Sequence, residues 1–377
     1  MAPRPTILQV LPRLATGGAE RGAVEVAAAA AQAGWKSIVA SAGGQMAREI
    51  TDSGAVHLTL PLASKNPAIM MQNVRSLVQV IRDHGVDIVH ARSRAPAWSA
   101  WIAARRCGRP FVTTFHNAYG ASTALKRKYN SVMAKGVRVI AISDFVAAYA
   151  ERVYDVPKQK LRIIPRGVDV EKFDAAHIEP ARIEKLRDAW NVRQGRTVVL
   201  LPGRLTRWKG QLVFIDAVAR MKRRDAIFLI VGSGENRYRE ELEQAIRRHG
   251  LENAVRLTGE CRDMPAAFGI AGVAISASTR PEGFGRVIVE AQAMGCAVIA
   301  ANHGGAAETV IDGETGFLVP PGNADKLAET LDKVLSLPAP ERKRICERSF
   351  AYVRESFTAR LMTERTLEVY EEVLHRT

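Results

Sequence analysis

The sequence predicts two α/β domains in tandem, each built on a parallel β-sheet that helices cover on both faces. Short apolar runs alternate with helical patterns along the chain, which is typical of such sheets. These runs form two series, one from residues 6–11 to 161–164 and a second from 197–201 to 316–319. A chain of 377 residues is also long enough to give each domain its own core.

A charged segment between the two series sets the predicted domain boundaries. We expect an N-terminal Rossmann-like domain over residues 1–170 and an interdomain connection over 171–194. A second Rossmann-like domain then covers 195–357, and the final residues, 358–377, read as a helix. Because ligands of such sheets bind beyond the carboxyl ends of the strands, two facing domains would form one central cleft.

The positive charge of the chain is concentrated in its first half. Residues 1–170 contain 23 Lys and Arg against 10 Asp and Glu, whereas residues 171–377 contain 31 against 29. A field confined to one domain predicts an anionic partner for that domain, either nucleic acid or an anionic membrane surface. The sequence has no nucleic-acid-binding motif, so we expect the membrane surface and no nucleic acid.

Two glutamates eight residues apart belong to the most informative motif, S-T-R-P-E-G-F-G-R-V-I-V-E. Gly283 and Gly285 allow the backbone to approach a ligand closely, and the turn leads into a predicted helix over residues 286–294. Since eight residues span about two helical turns, Glu290 is expected on the same side as Glu282. One carboxylate would then bind a sugar and the other a ribose.

Two strand ends upstream carry residues that suit a diphosphate. The strand at 197–201 leads into a basic turn, where Arg204 and Lys209 can converge on two phosphate groups. The next strand opens into a flexible turn that contains Gly232 and Gly234. Each motif is a weak signal alone, but the order and spacing of three motifs on one α/β pattern is a strong one.

Two strand ends in the N-terminal domain also carry candidate ligand contacts. After the first strand, Gly17 and Gly18 form a loop that enters a helix, and adjacent glycines let backbone N–H groups reach a phosphate or sugar oxygen. The strand at 111–115 ends in His116, at the edge where active sites gather. This histidine would hydrogen-bond a sugar or orient an acceptor, whereas His90, at another strand end, reads as structural.

These motifs resemble those of the family 4 glycosyltransferases, which are retaining enzymes of the GT-B fold. The resemblance implies two Rossmann-like domains about a cleft, a last helix that crosses back to the N-terminal domain, and a nucleotide-diphosphate sugar as donor. It also implies that Glu282 faces the transferred sugar, that Glu290 binds the nucleotide ribose, and that a basic pair holds the diphosphate. The implied catalytic residues are Glu282, His116, Arg204 and Lys209, and the implied donor-binding residues are Gly17, Gly18, Arg204, Lys209, Gly232, Gly234, Arg262, Gly283, Phe284, Gly285 and Glu290.

The expected partners follow from these residues and from the charge. No metal ion is expected, because the basic pair and helix N-termini can neutralise the leaving diphosphate and the sequence lacks an Asp-x-Asp element. The basic N-terminal half favours an anionic or membrane-bound glycan or glycolipid acceptor, such as a lipopolysaccharide core. Residues 119–135 form a basic amphipathic pattern with Lys126, Arg127 and Lys128, which would lie on an anionic membrane or pack on the sheet with a solvated edge.

The cysteines and the first residues predict a cytoplasmic protein, peripheral on the inner face of the membrane. Its four cysteines are scattered without metal-ligand spacing, as expected for reduced thiols. The sequence starts Met-Ala-Pro-Arg-Pro and runs into a strand, without the apolar region of a signal peptide.

Several alternatives stay open from the residues alone. The nearest is a transferase with a soluble acceptor, and the others are a GT-B sugar-nucleotide epimerase and a non-catalytic sugar-nucleotide-binding protein. The residues do not distinguish UDP, GDP and ADP, and they give no oligomeric state. One position departs from the family pattern, since Arg166 stands where many members carry Asn. This departure is expected to alter only the turn between the domains.

Overall fold

The computed structural model describes residues 4–15, 17–193, 195–223 and 225–376. These residues form two compact units. The N-terminal unit contains the chain up to Gly167 and again from Ala359 onward, and the C-terminal unit is the continuous stretch Val168–Thr358.

The N-terminal unit is built on a parallel sheet. Its described strands are β1 (Thr6–Val10), β2 (Lys36–Ser41), β3 (Val56–Thr59), β4 (Ile88–Ala91), β5 (Phe111–Phe115), β6 (Arg138–Ala141) and β7 (Leu161–Ile163), in the order β3-β2-β1-β4-β5-β6-β7. β1, β4 and β5 are buried along their whole length, which explains their largely apolar sequences. The strand order reverses between β1 and β4, so a crevice is expected beyond their carboxyl ends.

Helices cover this sheet. The described helices are α1 (Gly18–Gln32), α2 (Ala47–Asp52), α3 (Pro67–Asp83), α4 (Arg94–Arg106), α5 (Ala124–Asn130), α6 (Asp144–Tyr154) and, from the end of the chain, α15 (Ala359–Leu374). Asn66 caps α3 and Ser143 caps α6, because each side chain accepts a hydrogen bond from a backbone N–H of the first turn. Single 3₁₀ turns lie at Ser131–Lys135 and Lys158–Lys160.

The last helix completes the core of the N-terminal unit. Val369 and Tyr370 of α15 pack into the apolar cluster of this unit, and Tyr370 is fully buried. Glu372 accepts hydrogen bonds from Arg138 of β6 at 2.6 Å and from Arg162 of β7 at 2.5 Å. The expected return of the final helix to the N-terminal domain is therefore confirmed.

The C-terminal unit contains a second parallel sheet. Its described strands are β8 (Val198–Pro202), β9 (Ile227–Val231), β10 (Val255–Gly259), β11 (Val273–Ser276), β12 (Ala297–Ala301) and β13 (Phe317–Val319), in the order β10-β9-β8-β11-β12-β13. Here the order reverses between β8 and β11. The basic turn follows β8 and the two-glutamate motif follows β11, so both lie at the point where ligands bind in such sheets.

The helices of the C-terminal unit lie on both sides of this sheet. They are α7 (Pro180–Ala189), α8 (Gln211–Arg220), α9 (Asn236–Arg248), α10 (Met264–Ile270), α11 (Arg286–Ala293), α12 (Gly304–Ala307), α13 (Ala324–Ser336) and α14 (Ala339–Ser356). In the described ranges of both units, no helix combines the length and the apolar character that a membrane span requires.

The segment that we expected to connect the domains folds with the C-terminal unit. Phe173 and Ile178 are buried, and α7 packs against α10. Arg182 of α7 forms an ion pair with Asp263, the residue that caps α10, at 2.7 Å. The sequence pattern conceals this packing because α7 has no fully buried residue and its charges dominate the segment. Gln194, the expected end of the connection, lies outside the described residues.

Candidate active site

Lys209 and Glu282 meet at the reversal point of the C-terminal sheet. Lys209 ends a 3₁₀ turn after β8, and Glu282 lies in the loop after β11. The Nζ atom of Lys209 is 2.6 Å from Oε2 of Glu282, and the two side chains are only 15% and 13% exposed. Two sequence motifs that lie 73 residues apart therefore meet in one nearly buried ion pair.

The surroundings of Glu282 keep its carboxyl group ionised. Burial alone would raise the pKa of Glu282, but the charge of Lys209 and the hydrogen bonds to the carboxylate together lower it below its usual value. Oε1 of Glu282 accepts hydrogen bonds from the hydroxyl groups of Ser276 and Ser278. A lysine ammonium has three N–H donors, so Lys209 can bind Glu282 and an anionic ligand at the same time.

Glycines hold the backbone of the Glu282 loop in place. Gly285 caps α11 with a φ of +88°, and a Cβ atom there would lie 2.7 Å from the Cβ atom of Ala306. The backbone N–H of Gly305 donates to the carbonyl of Glu282 at 2.9 Å. A Cβ atom on Gly304 would lie 2.6 Å from the same carbonyl oxygen. Sequence analysis missed this glycine pair, although a Gly-Gly turn two residues beyond an apolar strand is a visible signal.

Glu290 is not related to Glu282 by a continuous helix. Because α11 begins only at Arg286, the loop before it is not helical, and the helical-turn argument that relates Glu290 to Glu282 is wrong. Oε1 of Glu290 accepts a hydrogen bond from Nε of Arg286 at 2.9 Å, and the Glu290 side chain is 13% exposed. Burial raises the pKa of Glu290, and the charge of Arg286 opposes that rise.

Two other residues of this motif contribute backbone rather than side chains. Gly283 has no side chain and is buried. The ring of Phe284 is 4% exposed and packs edge-on against Phe357, with 5.5 Å between ring centres. The Phe284 side chain is therefore part of the core, and only its backbone is available to a ligand.

Arg204 lines a cavity of the C-terminal unit. This cavity of about 520 Å³ lies between the loops that follow β8 and β9, and Arg204, Arg207 and Gly234 are among its lining residues. Gly232 has a φ of +147°, and a Cβ atom on it would lie 2.0 Å from a backbone oxygen of the β8 loop. Arg204 is exposed and makes no hydrogen bond through its side chain within the described residues.

Arg207 and Arg262 complete the basic surroundings of these loops. Arg207 forms an ion pair with Glu241 at 2.5 Å and lies over the ring of Tyr238, 5.4 Å from its centre. Sequence analysis did not select Arg207. Arg262 is exposed in the turn after β10, directly before the residue that caps α10.

The glycine loop of the N-terminal unit lies at the start of α1. Gly17 is the cap residue and Gly18 is the first helical residue, while Thr16 of the same loop lies outside the described residues. A Cβ atom on Gly17 would lie 2.3 Å from a carboxylate oxygen of Glu20. Because the Glu20 side chain is flexible, this contact does not by itself require glycine, and the ligand role of the loop stays a prediction.

His116, directly after β5, contacts Arg166. Its Nδ1 atom lies 2.5 Å from the guanidinium of Arg166. A guanidinium only donates hydrogen bonds, so Nδ1 accepts and the proton of the neutral ring is on Nε2. Burial, followed by the charges of Arg166 and Arg92, lowers the pKa of His116 well below its usual value. His116 is therefore a neutral group that can donate through Nε2, an atom that is buried and has no hydrogen-bond partner among the described residues.

Two buried arginines distinguish the surroundings of this histidine. Arg92 is 2% exposed and Arg166 is 6% exposed. We expected Arg166 to affect only the turn between the domains, and its contact with His116 corrects that interpretation. His90 bonds Tyr370 through Nδ1 at 2.6 Å and Thr114 through Nε2 at 2.7 Å, so both of its ring nitrogens serve the core, as the sequence predicts.

Comparison with known proteins shows that both units match glycosyltransferase families. The family model described as Glycosyltransferase Family 4 matches residues 16–172, and the model described as Glycosyl transferases group 1 matches residues 182–351. A GDP-mannose-dependent alpha-(1-6)-phosphatidylinositol monomannoside mannosyltransferase of Mycobacterium tuberculosis is 30% identical over 270 residues, which are 68% of this chain and 69% of that relative.

Two solved structures extend this similarity over nearly the whole chain. A glycosyltransferase from Rickettsia africae superposes with a TM-score of 0.90 and 38% identity, covering 99% of this chain and 100% of that one. The Anabaena protein HepE, solved in complex with UDP and glucose, superposes with a TM-score of 0.87 and 25% identity, covering 98% and 100%. The two parallel-sheet units thus define a protein of the GT-B class. The chain belongs to the family 4 glycosyltransferases.

Proposed function

We propose that this glycosyltransferase moves a hexose-type sugar from a nucleotide-diphosphate sugar to a hydroxyl group of a membrane-associated or anionic glycan, with retention of the anomeric configuration. The observation that carries this proposal is the ion pair of Lys209 and Glu282 at the reversal point of the sheet. A cation fixed beside an ionised carboxylate suits a site where a diphosphate leaves a sugar. The complex of HepE with UDP and glucose supports the donor class.

The basic side chains would stabilise the leaving group. As the bond between sugar C1 and the phosphate oxygen breaks, negative charge develops on the diphosphate. The ammonium of Lys209 and the guanidinium of Arg204 would bind that charge, so the proposal requires no metal ion. Glu282, as an ionised carboxylate, accepts hydrogen bonds and would fix the hydroxyl groups of the transferred sugar.

Retention would follow from substitution on one face of the sugar. The acceptor oxygen forms its bond to C1 on the face that the diphosphate leaves, and the acceptor proton passes to an oxygen of the leaving phosphate. This route needs no carboxylate nucleophile, in keeping with the bonding of both Glu282 oxygens to Lys209 and two serines. His116 would donate its Nε2 proton to an oxygen of the sugar or the acceptor.

The nucleotide would occupy the loops around α11. Glu290 gives one carboxylate oxygen to Arg286 and would bind the ribose hydroxyl groups with the other. The remaining phosphate and base contacts are proposed for backbone groups and for the exposed Arg262. They are Gly17, Gly18, Gly232, Gly234, Arg262, Gly283, Phe284 and Gly285.

The acceptor is proposed from the charge of the N-terminal unit. The first 170 residues hold 23 Lys and Arg against 10 Asp and Glu, and Lys126, Arg127 and Lys128 are exposed on α5. This cluster would hold the protein on the anionic inner face of the cytoplasmic membrane, where envelope glycolipids such as a lipopolysaccharide core are accessible. The mycobacterial relative, named for a phosphatidylinositol monomannoside acceptor, supports a lipid-linked acceptor.

Nucleotide-dependent thermal unfolding tests the donor site. The protein and its Glu290→Ala variant would be heated with UDP, GDP, ADP, CMP and their common sugar conjugates. A ligand at one hundred times its Kd adds about 2.7 kcal/mol of stability, so we expect one nucleotide to stabilise the wild type and not the variant. If no nucleotide changes the unfolding temperature, the proposed donor site is wrong.

Product analysis with the stabilising sugar nucleotide separates the remaining functions. Sugar transfer to glycolipid in anionic vesicles supports the proposal, and transfer only to soluble glycosides would replace the membrane acceptor. An epimerised sugar nucleotide formed without acceptor would identify an epimerase. If the donor binds but is neither transferred nor slowly hydrolysed, the protein is a non-catalytic binding protein.

A further inference from the structure

An apolar groove crosses the surface of the N-terminal unit between α3, α4 and α5. Its volume is about 470 Å³, within the range of small-molecule sites. The main lining side chains are Met70, Met71, Trp98, Ile102, Leu125 and Tyr129. These mainly apolar side chains suit a hydrocarbon ligand better than a sugar.

The groove is open because the predicted helix at residues 119–135 is split. We expected one basic amphipathic pattern over residues 119–135, with a single apolar face. In the structure, α5 ends at Asn130 and a 3₁₀ turn follows, so Val132 and Met133 are fully buried while Leu125 is 78% exposed. The 3₁₀ turn changes the direction of the side chains and leaves the first part of that face over the groove.

The groove is surrounded by positive charge. α3, α4 and α5 together contain eight Arg and Lys and a single acidic residue, Asp83. Lys65 and Lys128 line the groove itself, and neither forms an ion pair within the described part of the chain. Apolar walls with unpaired ammonium groups match an amphiphile that has an anionic head group.

Tyr129 supplies an unused polar group in the groove wall. Its hydroxyl group is buried and has no hydrogen-bond partner in the described ranges, and burial raises the pKa of Tyr129. The indole N–H of Trp98 donates to the backbone carbonyl of Tyr129 at 2.9 Å, which fixes the two residues together. A buried hydroxyl without a partner is costly, so an acceptor oxygen from a ligand would stabilise it.

We propose that the groove binds one hydrocarbon chain of an anionic membrane lipid. The chain would lie against Met71, Trp98 and Leu125, the head group would contact Lys65 and Lys128, and Tyr129 would donate to an oxygen near the head group. This inference rests on the proposed membrane-bound acceptor and adds a specific lipid site to it. The binding step involves no chemical change in the lipid.

Fluorescence quenching by brominated lipid tests the groove directly. The full-length protein would be mixed with phosphatidylglycerol vesicles that carry bromine on the acyl chains, and with matched vesicles without bromine. We expect a loss of tryptophan fluorescence with the brominated chains. This loss should largely disappear in Trp98→Phe and in Met71→Glu, and it should persist in Ile311→Glu, an equally exposed apolar position of the C-terminal unit.

A second set of measurements distinguishes lipid binding in the groove from binding of the protein to the membrane surface. Replacing Lys126 and Arg127 by Glu, with Lys128 of the groove unchanged, should weaken co-sedimentation with the vesicles, whereas replacing Lys343 and Arg344 by Glu should not. A brominated anionic lysolipid, used below its micelle concentration, should still quench Trp98 where vesicle binding fails. If neither assay shows quenching that depends on Trp98, the proposed lipid site in the groove is wrong. If the protein instead forms a dimer that Met71→Glu dissociates, the occupant of the groove is a second copy of the chain.

Discussion

The ion pair of Lys209 and Glu282 links the proposed catalytic role of these residues to the stability of one loop. Each side chain is more than four-fifths buried, so neither charge is well solvated if its partner is removed. The same pairing holds the ammonium where a diphosphate would leave. At the scale of a residue, a single substitution here should therefore affect both rate and stability.

Replacing Lys209 by Ala should lower the turnover number by orders of magnitude, because the leaving diphosphate would lose one of its two proposed cations. It should also lower the free energy of unfolding by about 3 kcal/mol, since Glu282 remains buried without its partner. Sugar-transfer assays and urea unfolding measure the two effects. Lys343→Ala is the control, because Lys343 is exposed and makes only a 3.7 Å ion pair with Glu347. A near-wild-type rate for Lys209→Ala would refute the proposed role.

Arg166→Gln tests the control of His116 by its neighbours. Removing the charge should raise the pKa of His116, although burial, the largest cause of the lowered value, persists. In the wild type, unfolded histidine binds protons below about pH 6.5 while folded His116 does not, so stability falls with decreasing pH in that range. The variant should lose less stability there, and the acidic limb of its kcat/KM profile should move to higher pH.

Imidazole NMR titration measures this pKa directly, with Arg152→Gln as an exposed control in the same unit. Arg92, His90 and Tyr119 also face His116 within the described residues, and all three are unchanged in the variant. An unaltered titration of His116 in Arg166→Gln would show that Arg166 does not set its protonation.

At the scale of an element, glycines fix the loop that carries Glu282. Gly285 needs a positive φ and also lacks space for a side chain, because Ala306 of α12 lies against it. Gly313 has a similar φ of +76° but no atom within 4 Å of the Cβ position. Alanine substitutions at Gly313 and Gly285 therefore distinguish the cost of backbone strain from the cost of close packing.

We expect Gly313→Ala to cost about 1 kcal/mol of unfolding free energy, the usual cost of a left-handed conformation. Gly285→Ala should cost more and should also reduce sugar transfer, since the Glu282 loop must move away from α12. Urea unfolding and initial-rate assays on both variants give the comparison. Equal stability and equal activity in the two variants would contradict the proposed packing role of Gly285.

Particular elements show how far the sequence predicts the molecule. The strand at 111–115 and the start of α11 at residue 286 agree with the structure because apolar runs and glycine turns mark them locally. The break in the helix at Asn130 and the packing of α7 were missed, since tertiary contacts decide both. The sequence also predicts that Lys209 and Glu282 lie at one sheet edge, because both follow strands of a parallel sheet. It does not predict that Arg166, 50 residues from His116, contacts its ring, because tertiary packing decides that contact as well.

At the scale of the whole molecule, the chain leaves the N-terminal unit at Gly167 and returns to it at Ala359. Glu372 of the returning helix binds Arg138 and Arg162, and these contacts lower the pKa of Glu372 to about 2. These contacts therefore attach α15 to β6 and β7, the last two strands on one side of the sheet.

Glu372→Gln should remove a pH-dependent part of the stability. Because the pKa of Glu372 is lowered in the folded state, its contribution is complete above the usual value of 4.5 and is lost as the pH falls towards about 2. The difference in unfolding free energy between wild type and variant should thus shrink over that range. Urea unfolding at several pH values measures it, with the exposed Glu368→Gln as control. A difference that does not change with pH would contradict the ionic attachment of α15.

The divided N-terminal unit also has a consequence for biosynthesis. A ribosome completes the stretch Val168–Thr358 before it makes α15, so every strand of the C-terminal sheet emerges while the other unit still lacks Tyr370. Before Tyr370 is synthesised, His90 lacks the side chain that bonds its Nδ1 atom. The surface that α15 covers is then accessible to solvent and chaperones. The unit that is translated second is then the first that can finish folding, in contrast to the usual order along a nascent chain.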